Sequence, residues 1–84
     1  MDLSGAMPRR AWLIIRDRVT GGELLTVPSE IDGGTLRTKV SALGEGVEVD
    51  LIRRLEWRDG TVSEDEPEPM TLPAGCWFQI VEMG

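Results

Sequence analysis

Glu64, Asp65, Glu66 and Glu68 stand in one short run of the sequence, and from position 60 to the end the chain holds five carboxylates and no Lys or Arg. Carboxylates grouped without basic neighbours can present a phosphate-like row to a basic groove, because a strong local field speeds encounter at low salt. Oxygen-rich clusters also suit hard cations such as Ca²⁺ or Mg²⁺. The run lacks the ligand alternation and turn glycine of a calcium loop, so no metal ligands are assigned. A solvated loop that keeps the protein soluble is the plainer alternative.

Eight of the nine basic residues are Arg, and several fall in close pairs: Arg16 with Arg18, Arg37 with Lys39, and the adjacent Arg53 and Arg54. Spacing by two puts each of the first two pairs on one strand face, and a basic stripe would form if those strands paired. Arg53 falls among apolar residues, where it marks a bulge, a kink or a rim position. Trp12, Trp57, Trp77 and Phe78 are the only aromatics, and in so small a chain they are expected to form most of the core. Adjacent Trp77 and Phe78, like Trp12 and Leu13, must point to opposite faces of a strand. One member of each pair is then left to serve as an interface anchor, a use that favours Trp. The partner-binding candidates are therefore Glu64, Asp65, Glu66, Glu68, Trp12, Trp77, Arg53 and Arg54.

Absences narrow the chemistry further. The chain has no His and no Tyr, and Cys76 is its one cysteine. The commonest general base is missing, a structural zinc site cannot be built, and no internal disulfide is possible. With no His to activate it, Cys76 reads as a small buried hydrophobe. The glycine pairs lie between strands and do not open a helix, so no phosphate-binding loop is indicated. No catalytic residue and no cofactor are assigned, and the expectation is a protein that is not an enzyme. The longest apolar run, Ala11 to Ile15, is too short for a membrane span or a secretory leader. One cysteine suits a reducing compartment, and a cytoplasmic location without membrane contact is expected.

The chain has 84 residues and a formal charge of −6, most of it in the last quarter, since residues 1–59 carry nine basic against ten acidic side chains. Such a balance disfavours direct nucleic-acid binding. The length allows one small domain. Residues 1–8 read as a frayed terminus whose Leu3 and Met7 could dock on the rest, and 9–84 as a single β-rich domain with an acidic, proline-containing loop at 63–70.

Turn signals at Gly21-Gly22, Asp32-Gly33-Gly34, Gly44-Glu45-Gly46 and Asp59-Gly60 separate segments that alternate with a period of two. The clearest is 47–57, with Val47, Val49, Leu51, Leu55 and Trp57 on one face. A helix over 47–57, giving an α+β fold, is the alternative, because Val47, Leu51 and Leu55 are also spaced by four. In the last segment, 76–83, both faces carry apolar residues, which predicts a strand covered on both sides. These signals predict a mainly β fold: a small antiparallel meander of five or six strands, curled into a partly closed barrel. In strand count and meander the layout is similar to small SH3-like or Sm-like barrels, a likeness that implies no function.

Two functional expectations follow. The first is a non-catalytic binding protein that docks on a larger protein or complex, in its sharpest form a virus-encoded inhibitor occupying the nucleic-acid groove of a host defence complex. The second is a homo-oligomer, a self-assembling structural subunit of a viral particle or larger assembly.

Overall fold

A computed structural model describes residues 7–83, and over that range it is all β, with antiparallel pairing and no helix. The strands are β1 (Arg10–Asp17), β2 (Glu23–Pro28), β3 (Glu30–Asp32), β4 (Thr35–Val40), β5 (Glu48–Glu56), β6 (Val62–Glu64), β7 (Glu68–Thr71) and β8 (Trp77–Glu82). The helical alternative for 47–57 is excluded. Its alternation wins because Val49, Leu51, Arg53 and Leu55 turn inward while Ile52 is buried on the opposite face, a two-sided burial that a pleated strand provides.

These strands make two sheets. In the first, β2, β1 and β5 lie in that order, and β6 and β7 share the far edge of β5; in the second the order is β3, β4, β8. No ladder among the described residues joins the sheets into a barrel, and the expected simple meander gives way to crossings between layers. Hairpins form at three of the expected turns, linking β1 to β2, β3 to β4 and β5 to β6. Gly33 and Gly60 adopt φ of 61° and 90° there, a region open to glycine at little cost. Gly44-Glu45-Gly46 makes no hairpin, because β4 and β5 belong to different sheets.

Ser29 is the corner at which the chain leaves the first sheet. β2 and β3 are separated by this one residue, whose amide still donates to the Ala11 carbonyl at 2.8 Å. The acidic segment expected to be a loop at 63–70 is tied down at both ends. β6 pairs with residues 54–56 of β5, β7 pairs with residues 48–51, and the Asp65 amide donates to the Arg53 carbonyl at 2.9 Å.

The interior consists of two apolar clusters. One gathers Leu13, Ile15, Val40, Val49, Leu51 and Leu72, with Trp77 and Met70 packed against it. The other gathers Ala11, Leu36 and Leu55, with Met7, Ile31, Trp57 and Val81. Two clusters lie behind the elongated shape of 45 × 22 × 16 Å, whose radius of gyration is 13.6 Å against about 12 Å for a compact chain of this length.

Aliphatic residues, and not the aromatics, fill this core. The three tryptophans are only half-buried and Phe78 is exposed, as is Cys76, which therefore is no buried hydrophobe. At the N-terminus, Met7 packs on the second cluster and Pro8 is buried, so the frayed segment does not extend to position 8. Leu3 lies outside the described residues.

Leu13 is fully buried and faces Arg53 directly across the ladder. Leu13→Ala is expected to cost about 2–5 kcal/mol in urea unfolding, whereas Val19→Ser on an exposed turn should stay within about 0.5. The Asp59 carboxylate accepts from the Thr61 amide at 3.0 Å and from the Thr61 hydroxyl at 2.7 Å, and these bonds hold it below the ordinary carboxylate range. A carboxylate depressed in the folded state contributes stability above its unfolded pKa, and that contribution is lost as pH falls through the folded value. The stability difference between wild type and Asp59→Ala should therefore shrink below about pH 4; a difference that stays constant with pH would contradict this role.

Candidate protein-binding site

Along β5, Arg53 interrupts the apolar row between Leu51 and Leu55; Thr38 does the same on β4 and Gln79 on β8. The second sheet brings them together as a polar layer between the two clusters. The Arg53 guanidinium, only 6% exposed, donates to Ser29 Oγ at 3.3 Å and to Gln79 Oε1. Ser29 and Thr38 hydroxyls share a hydrogen bond of 2.6 Å. Arg53 is thus neither bulge, kink nor rim, since the β1–β5 register runs unbroken past it.

None of the ion pairs among the described residues includes Arg53. Burial pushes its guanidinium below the ordinary value, and the fields of Asp65 and then Glu68 pull it back up. Beside this layer a cleft of about 170 Å³ opens between the sheets, lined by Leu13, Leu51, Arg53, Gln79 and Val81 and rimmed by Asp65, Glu66 and Glu68. Four of the sequence candidates, Arg53 and three of the acids, therefore meet at one place.

β8 forms one wall of this cleft and is the last strand of its sheet, with β4 on one side and, among the described residues, no strand on the other. Trp77, Gln79 and Val81 face inward; Phe78 and Ile80 face outward and are 55% and 58% exposed. On the same outer face they lie opposite Lys39 and Arg37 of β4, and Arg37, Phe78 and Ile80 line a shallow surface hollow. An edge strand bearing two large exposed apolar side chains is a feature that folded proteins normally avoid unless something pairs with it. The apolar residues on both faces of 76–83 predict a strand covered on both sides, and the structure covers only one. The outer face is open because the first sheet packs only on the inner face, and Arg37 and Lys39 of β4 are exposed on the same outer side.

The remaining candidates lie elsewhere. Trp77 packs on the first core cluster. Trp12 is half-buried and lines a separate surface hollow with Arg9, Arg10, Pro28 and Ile31. Arg54 and Glu64 form an ion pair of 2.7 Å on β5 and β6, which takes Glu64 out of the free acidic row. No basic stripe forms, because Arg16 and Arg37 belong to different sheets, and Arg18 is paired with Glu48 and Asp50. Among the described residues, no group of three or more His, Cys, Asp or Glu side chains is placed to hold a metal ion. Phe78 and Ile80, absent from the sequence candidates, are the additions; their position two apart was the available signal.

No protein-family model, curated protein or solved structure matches this chain.

Replacing Gln79 removes the acceptor that holds the buried guanidinium. Gln79→Leu is expected to cost about 1–3 kcal/mol in urea unfolding, while Phe78→Ser, next to it but facing solvent, should change stability by less than about 0.5 kcal/mol. Equal costs would contradict the inward and outward assignment of these neighbours.

Proposed function

We propose that the chain is a non-catalytic binding protein that docks on a larger protein through β8. The observation that carries this reading is the combination of an unpaired strand edge with the exposed Phe78 and Ile80. Apolar anchors that desolvate on contact supply most of an interface's affinity. The flanking Arg37 and Lys39 add a polar border of the kind found around such anchors. Across the cleft, Asp65, Glu66 and Glu68 give one side of the same region a negative field that favours a basic partner surface. In the narrower form of the reading, this acidic rim enters a basic groove that otherwise holds nucleic acid. No helix among the described residues is long and apolar enough to cross a membrane, and the proposed setting is the cytoplasm, which suits an exposed free Cys76.

The same open edge favours a second reading, self-assembly by pairing of β8 with a copy of itself. Two experiments separate them. Affinity capture from host extract with wild type and with the Phe78→Ser/Ile80→Ser double variant should recover a partner near equal stoichiometry with wild type only, at unchanged melting temperature. Recovery of the same partner by both would overturn docking through β8. Light scattering at high concentration should show a monomer; a concentration-dependent oligomer abolished by the double variant would instead establish self-assembly.

A further inference from the structure

We infer that the partner adds an extended strand to the free edge of β8, and that this strand carries Lys or Arg at alternate positions with apolar residues between them. The inference deepens the docking reading and rests on it. Among the described residues the first sheet continues beyond β5 into β6 and β7, whereas the second stops at β8. The cleft of about 170 Å³ lies between that stop and the 65–68 segment. A strand hydrogen-bonded to β8 would lie about 4.8 Å beyond it and close the mouth of this cleft.

Period two then dictates its side chains. Those pointing inward meet Asp65, Glu66 and Glu68, three exposed carboxylates, while the one cation on the cleft floor, Arg53, already donates to Ser29 and Gln79. Inward positions therefore call for cations long enough to reach the rim. Those pointing outward lie beside Phe78 and Ile80 and call for apolar residues, the cross-strand pairing that stabilises sheets. A second copy of the chain fits poorly. Its β8 would set Trp77, Gln79 and Val81 over the carboxylates with no cation, and would bring together two chains of formal charge −6.

The test uses a capped heptapeptide of alternating Val and Lys as probe. Binding to the full chain, followed by fluorescence anisotropy, should weaken at least about tenfold when salt is raised from about 20 mM to about 500 mM. It should weaken by a similar factor in Glu66→Gln/Glu68→Gln. Hydrogen exchange should show the gain in protection at alternate amides of residues 77–82. Two altered peptides leave the protein untouched: the Val and Glu analogue, and the Lys peptide N-methylated on alternate amides, should both fail to bind. Equal binding by the Glu analogue, or protection gained away from β8, would overturn the inference. So would an edge found already paired with a second copy. If the Lys peptide fails while capture dependent on Phe78 and Ile80 persists, basic strand addition is wrong and docking stands; if the peptide binds but capture does not depend on those residues, the docking reading fails.

Discussion

The contact between Arg53 and Gln79 is the constraint on which the rest of the arrangement depends. A guanidinium buried between two sheets must have acceptors, since the cost of stripping water from it is several kcal/mol when its donors go unmet. Ser29 and Gln79 supply them, one from the corner between sheets and one from β8. Fixing Gln79 inward fixes the parity of the whole strand, because neighbouring side chains alternate. Trp77 and Val81 are thereby directed to the two apolar clusters, and Phe78 and Ile80 to solvent. The exposed apolar pair is thus a consequence of the buried polar layer. A register slip of one residue would bury Phe78 and Ile80 but leave the guanidinium without its acceptor.

The same layer explains the shape. Arg53, Thr38 and Gln79 interrupt the apolar rows of three strands at one level, so hydrophobic burial is divided between two clusters end to end. Among the described residues, no buried side-chain nitrogen or oxygen lacks a hydrogen-bond partner, which is the condition under which such a layer does not undermine the fold. Satisfied polar layers of this kind favour one register over its neighbours, where a uniformly apolar interior would tolerate several.

Much of this was legible in the sequence where the signal was local. Glycine pairs and Asp59-Gly60 marked hairpins because positive φ is a property of single residues. The alternation of 47–57 marked β5 because a period of two is likewise set by residues adjacent in sequence. Sheet membership was not legible: nothing in Gly44-Glu45-Gly46 distinguishes a hairpin from a crossing between layers. Nor did Pro67 and Pro69 reveal β7, because proline is tolerated on an outermost strand, where a missing donor need not break a ladder. Of the candidate site, the acidic row was visible as composition and Arg53 as an anomaly. Their meeting depends on β6 and β7 both pairing with β5, which carries 65–68 past Arg53, and the cleft's other wall on β8 returning beside β4. Phe78 reads as core from sequence because an apolar residue looks the same there whether the fold covers it or leaves it exposed.

The functional reading therefore turns on whether the outer edge of β8 is open in the free protein. Amide hydrogen exchange resolved by residue over 77–82, in dilute solution without partner, measures this directly. Every second amide, bonded to β4, should exchange slowly, and the intervening amides should exchange at rates close to those of an unstructured chain. Uniform protection along the strand would mean that its edge is already paired, and would contradict an edge held open for another protein.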